Sequence, residues 1–312
     1  MVISGVLRSQ PELLRARRMT VDPSIVRVAA AQYPLDQHGH WSDFCAKFGN
    51  WVAEAAHQGA RLLVFPEYFS IEITSIFGDD VAQSLSRSLS HLQRTLADFL
   101  NLCRELAQTH HVYLCAGSYP VEVAEGTYCN RAYFFWPTGH CEFQEKLMMT
   151  RFEKEHWGMS PGAGLNVFVT DFGRVAINVC YDSEFPLFAR HQAEQGAEIL
   201  IVPSCTDTLE GYHRVRIGCQ ARALENQCYV IQSPTVGDCA WSEALDKNIG
   251  AAGVYTPVDH GFPVSGVLAR GELNKPQWVY ADLRIAEIAR VRKSGQVFNY
   301  RDWPDQHHHF PR

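Results

Sequence analysis

The stretch "GARLLVFPE" at residues 59–67 is matched in residue type, position by position, by "GAEILIVPS" at residues 196–204. Each copy leaves a glycine, runs as an apolar strand and meets a proline that stops it. Each strand is hydrophobic on both faces and so demands cover on both sides, by helices on one and by a second sheet on the other. Two similar halves packed sheet to sheet meet that demand. The match is short, and a coincidence of α/β punctuation is the alternative.

The rest of the chain keeps the same rhythm. A strand "IVRVAAAQY" opens at Ile25, an amphipathic helix is expected over residues 42–58, and the first of the two matched strands follows. This order of β, α and β indicates an α/β fold rather than separate all-α and all-β parts. Further on, the patterns predict a helix around 90–108, strands "HVYLCAGSY" and "NRAYFFWP", a helix around 212–226, then "CYVIQSP" and a late strand "QWVYADL". One domain is expected over residues 25–304. Before it, residues 1–24 carry Arg8, Arg15, Arg17 and Arg18 against Glu12. This basic extension reads either as an arm for a partner or phosphate, or as a solvated helix or linker. Residues 305–312 form a short tail whose "HHH" is expected to be mobile rather than ligating.

Composition excludes several classes. With 46% hydrophobic residues the chain can bury one large core or two closely packed halves. A net charge of −6 gives no electrostatic reason to expect nucleic acid, so a small-molecule partner is the better expectation. The ten cysteines are scattered through apolar runs, and "MVISGVL" is too short for the apolar core of a secretion signal. Reduced thiols and a cytoplasmic location follow as expectations. No apolar run approaches a membrane span. The absence of C-x2-C, H-E-x-x-H, P-loop and G-x-G-x-x-G patterns leaves no metal, nucleotide or other cofactor to expect.

Reactive groups in α/β sheets gather where strands end, and three polar residues sit at or just past such ends. Glu67 follows "LLVFP", where an apolar setting raises a carboxyl pKa and makes it a proton acceptor near neutrality. Lys146 follows "CEFQE", where an ammonium could stabilise a thiolate or an oxyanion. Glu153 lies seven residues later and would share the lysine's face if the segment were helical. Cys180 ends the apolar run of "VAINVCYDSEFP", and the abrupt change to polar residues argues against continued burial. Taken singly, a surface glutamate, a solvated lysine and a core thiol are the commoner fates.

Taken together, "FPEYF", "EKLMMTRFEKEHWG" and "NVCYDSEFP" resemble the motifs of the nitrilase superfamily of carbon–nitrogen hydrolases, in that family's order and approximate spacing from about Val26 to "RDWP". The resemblance implies a four-layer αββα sandwich of two similar halves, in agreement with the internal match. It implies that Glu67 is the general base, Lys146 the oxyanion-stabilising lysine, Cys180 the nucleophile and Glu153 the second glutamate. One departure is Met149, where the family has proline. The backbone N–H of Tyr181 would join Lys146 at the oxyanion.

Cys180-Tyr181-Asp182 is similar to the amidase branches rather than to nitrilases, so a small amide and water are the expected reactants, through a thioester. Nitrile cleavage, hydrolysis of N-carbamoyl compounds or a silent binding homologue are the alternatives. In "SCTDTLEGYHRVR", Thr206, Asp207 and Tyr212 are candidate substrate contacts, and Arg214 or Arg216 could pair with a substrate carboxylate. That wording resembles a bacterial subgroup in which the domain is sometimes fused behind an acetyltransferase. The family also implies a homodimer or higher homo-oligomer. A histidine-paired thiol would instead draw on His156, His191 or His213.

Overall fold

Alternate side chains of the strand Ile25–Pro34 enter different cores, and the neighbouring strand Leu62–Val64 repeats the alternation. Val26, Val28, Ala30, Leu62 and Val64 share one buried cluster with Val175, Ile177, Ile199 and Ile201 from the second half of the chain. Ala29, Ala31, Tyr33 and Leu63 pack instead with Phe44, Phe48 and Val52 of helix Trp41–His57 and with Phe99 and Cys103 of helix Leu96–His110. A strand with side chains on both faces and no polar face can be stable only in such a sandwich. The computed structural model describes residues 24–309. The expected basic extension lies outside them apart from Ser24, as do the last three residues of the expected tail.

The two halves carry the same strand register. Leu62 lies between Val28 and Tyr113, and Ile199 lies between Val175 and Tyr229, all in parallel pairing. Leu62 and Ile199 hold the same place in the two matched stretches, so the repeat in sequence is a repeat in structure. Antiparallel strands extend each half outward: Thr127–Phe135 and Cys141–Glu145 in the first, Gly253–Tyr255 and Val267–Arg270 in the second. The halves join where Tyr33 and Pro34 pair with Thr235 and Val236, giving one mixed, helix-flanked sheet, the expected α/β four-layer architecture. The late strand, Gln277–Arg284, returns to the first half and pairs antiparallel with Ile25–Gln32.

Some local expectations change. The helix placed around 90–108 is two helices, Leu85–Leu92 and Leu96–His110. Thr95 intervenes, donating its hydroxyl to Leu92 O and sharing a hydrogen bond with the Tyr119 hydroxyl. Pro203 does not stop its strand, which runs to Ser204 with Pro203 opposite Ser233. The tail expected from residue 305 is a 3₁₀ segment from Trp303 to His309 over its described part.

Candidate active site

Glu67 and Cys180 are set up in the same way, each three residues past the end of a core strand, Leu62–Val64 for one and Gly173–Ile177 for the other. After Glu67 the backbone turns sharply at Tyr68, whose φ is 58°, into the 3₁₀ segment Phe69–Phe77. The turn packs on Gly117, where a β-carbon would stand 2.0 Å from the Pro66 carbonyl oxygen. Glycine is therefore required behind Glu67.

Cys180 itself has φ 50°, uncommon for a residue with a side chain, and opens the 3₁₀ turn Cys180–Glu184. The expectation that polar residues after it would end its burial is wrong: Cys180 is 3% exposed, Asp182 2% and Ser183 0%. The polar groups are buried because they are satisfied. Ser183 Oγ donates to Cys180 O at 2.7 Å, and the Asp182 carboxylate accepts from the N–H groups of Leu147 and Met148.

Lys146 leaves the end of strand Cys141–Glu145 with its N–H bonded to Asn130 O at 2.9 Å. Its side chain is 1% exposed, the opposite of a solvated lysine. Nζ donates to Glu67 Oε1 at 2.8 Å and to Glu153 Oε2 at 2.6 Å. The route to Glu153 is not the two-turn helix considered from spacing. Residues 147–150 are irregular, and Glu153 opens a π-helical turn, Glu153–Trp157. Such turns mark functional sites often enough to be noted.

Two buried carboxylates thus share one ammonium, and their other partners separate them. Glu153 also accepts from the Tyr68 hydroxyl at 2.6 Å and from the Thr150 N–H and hydroxyl at 2.8 Å each. Burial pushes the Glu153 carboxyl up, but Lys146, Tyr68 and Thr150 outweigh it and hold the group below its ordinary range. Glu67 has fewer strong donors, Lys146 and the Asn130 amide at 2.8 Å each, besides a weaker bond from the Cys180 thiol. Burial, helped by the nearby Glu153 charge, raises its pKa against the pull of Lys146. For Lys146, burial is outweighed by Glu153 and Glu67, so the ammonium is retained. Burial and the Glu67 charge push the Cys180 thiol well up, with Lys146 pulling the other way. The resting arrangement is a thiol beside a carboxylate of raised basicity, the pairing that general-base catalysis requires.

These four residues line one cavity of about 320 Å³. Thr206, Asp207 and Arg214 line it too, whereas Tyr212 and Arg216 do not. Tyr212 is buried within helix Leu209–Asn226 against His213. The Thr206 hydroxyl is engaged with Ile249 O at 2.7 Å, and Arg214 stands 3.6 Å from Glu184. None of His156, His191 and His213 reaches the cavity wall. Among the described residues no cluster of three or more His, Cys, Asp or Glu is arranged to hold a metal ion. All ten cysteines are free thiols. Tyr68, Asn130, Thr150 and Asp182 are the site residues that spacing did not single out. Tyr68 and Asp182 lay inside the quoted motifs, and Asn130 was visible as a polar residue opening the apolar run "NRAYFFWP".

The family model for carbon–nitrogen hydrolases matches residues 27–293. A probable hydrolase of Bacillus subtilis, YhcX, is 34% identical over 277 residues, covering 89% of this chain and 53% of that protein, so the chain spans about half that relative's length. The human omega-amidase NIT2 is 25% identical, covering 82% of this chain and 88% of its own. Among solved structures, an amidase from Nesterenkonia sp. AN1 with acrylamide added at its active-site cysteine has the same fold, with a TM-score of 0.67 at 22% identity, covering 85% of this chain and 98% of that one.

Proposed function

Since this chain belongs to the carbon–nitrogen hydrolase family, we propose that it hydrolyses the amide bond of a small molecule through a thioester on Cys180. The observation that carries this reading is the placing of Lys146 between a carboxylate held ionised, Glu153, and one of raised pKa, Glu67, beside a thiol in the same cavity.

The steps follow from these atoms. Cys180 Sγ attacks the amide carbon as Glu67 takes the thiol proton. The carbonyl oxygen becomes an oxyanion against Lys146 Nζ and the N–H of Tyr181, which lies in the first turn of a 3₁₀ segment, where N–H groups have no partner inside the turn. Collapse breaks the C–N bond, and Glu67 returns the proton to the departing amine. Water then attacks the thioester while Glu67, ionised again, takes one of its protons. The second oxyanion expels the Cys180 sulfur, which recovers that proton, and a carboxylic acid leaves. Glu153, bonded to Lys146, orients the ammonium.

Thr206, Asp207 and Arg214 are candidates for contacts to the substrate, as lining residues. Leu187, Ile217 and Leu224, exposed on helices Pro186–Glu194 and Leu209–Asn226, support a homo-oligomer formed through the helices beside the nucleophile. Free thiols agree with a cytoplasmic location. No helix among the described residues is long and apolar enough to cross a membrane.

The test is ammonia or amine release from a panel of small amides, dicarboxylate monoamides, N-carbamoyl compounds and nitriles. Release is expected from amides, with loss on Cys180→Ala and a fall of about 10²- to 10⁴-fold on Glu67→Gln. Release that survives Cys180→Ala, or no release from any compound, overturns the reading.

A further inference from the structure

The nucleophile and the oxyanion lysine come from different halves of the sandwich, so their spacing depends on whatever ties the halves together at the site. We infer that Asp182 is a positioning residue, a carboxylate strut that fixes the Lys146 ammonium relative to the Cys180 thiol. The inference rests on the hydrolase reading and adds to it a group outside the Cys180, Glu67, Lys146 and Glu153 set.

Three hydrogen bonds define the strut. The Leu147 N–H lies 3.1 Å from each Asp182 carboxylate oxygen, and the Met148 N–H lies 2.7 Å from Oδ1. These are the two residues immediately after Lys146. On its other side Lys146 is held by the first half of the molecule, its N–H to Asn130 O at 2.9 Å and its carbonyl accepting from Gly162 N–H at 2.8 Å. Residues 147–150 have no helix or strand to fix them. Asp182 supplies what regular structure does not.

The strut's other end is stiff. Asp182 lies in the turn that begins at Cys180, its own N–H bonded to Val179 O at 3.0 Å and its carbonyl accepting from Phe185 N–H at 3.1 Å. The Ser183 carbonyl is held by Arg222 of helix Leu209–Asn226 at 2.8 Å. Electrostatic stabilisation of an oxyanion depends on donors already in place, and tolerances at such sites are about 0.5 Å. A clamp within two residues of both the thiol and the ammonium sets that placement directly.

The strut needs its charge. Burial pushes the Asp182 carboxyl up to about 7, with Lys146 and the two N–H groups pulling it down and the Glu67 charge adding to the rise. Lys146 and Glu67 are the charged groups that face it from the packed elements. Protonation places a hydrogen on one of the accepting oxygens and loosens the clamp as pH falls through neutrality.

Two rates separate positioning from mere support of the fold. Amide turnover builds an oxyanion, whereas alkylation of Cys180 by iodoacetamide is a displacement at carbon that builds none. In Asp182→Asn, kcat is expected to fall about 10- to 100-fold with KM changed by less than about threefold, while the alkylation rate of Cys180 stays within about twofold of the parent. Equal losses in both rates, or no loss in either, overturn the inference. Should Asp182→Asn fail to fold, the unmodified protein answers. Turnover is then expected to show an acid limb near pH 7 that alkylation lacks, and coincident limbs overturn the strut. Absence of Cys180-dependent turnover in the unmodified protein is distinguishable from all of these and removes the hydrolase reading along with the strut.

Discussion

At the scale of single residues, the site is governed by an imbalance of charge, two carboxylates for one ammonium, all three groups buried in the wall of the cavity. Removing the ammonium leaves both carboxylates uncompensated. Lys146→Met is therefore expected to destabilise the fold by about 3–5 kcal/mol, measured by urea unfolding, and adding Glu67→Gln should restore part of the loss. Simple additivity of the two changes would mean that the charges are not coupled. The Asn130 amide donates to the ionised form of Glu67, so Asn130→Leu favours the protonated form. The acid limb that kcat/KM shares with Cys180 alkylation should move to higher pH in that variant, while the separate limb near pH 7 proposed for Asp182 stays in place, and an unmoved shared limb would assign it to a group other than Glu67. Asp182 adds a pH dependence of stability. Its native pKa of about 7 lies above the unfolded value, so its favourable contribution is complete below about pH 4 and is lost as pH rises to about 7. The ionised form that the proposed strut requires is thus the less stable one.

At the scale of elements, what was legible in the sequence followed from apolar periodicity, and what was not followed from irregular backbone. The strand at Ile25 and the repeated register of Leu62 and Ile199 were readable because burial on both faces leaves few polar positions, and the helix Trp41–His57 because only one of its faces is buried. Glu67 and Cys180 were found just past the ends of such runs, and Lys146 just past the mixed strand Cys141–Glu145. Glu153 was found by spacing, but through a helix that does not exist, because a π-helical turn after an irregular segment has no periodic signature. The contacts of Asn130 and Asp182 are equally unreadable, since they join residues 63 and 35 positions apart. The positive φ of Cys180 is invisible in a run of ordinary side chains. Gly117 tests how closely these irregular turns are packed. Gly117→Ala puts a methyl group against Pro66 O and Phe69 at a φ of 54°, with no room to move the backbone. A loss of about 3 kcal/mol or more is expected in thermal unfolding, together with lower kcat through displacement of Glu67. A variant with parental Tm and kcat would show that the turn can relax.

At the scale of the molecule, the return of Gln277–Arg284 to the first half closes the architecture. Leu283 on that strand is fully buried, and Leu283→Ala is expected to cost about 2–5 kcal/mol with kcat unchanged at low temperature, since the strand lies away from the cavity lining. A loss of activity without a loss of stability would contradict a purely architectural role. The same pairing has a consequence during synthesis. Arg284 is the partner of Ile25, so the strand Ile25–Pro34 leaves the ribosome with one hydrogen-bonding edge whose native antiparallel neighbour follows only about 250 residues later. At roughly 5–20 residues per second this interval lasts roughly 10–50 s. Throughout it, the nascent polypeptide carries an open β edge flanked by apolar residues, the kind of surface that recruits chaperones or seeds aggregation. Chains interrupted before Gln277 would keep that edge permanently.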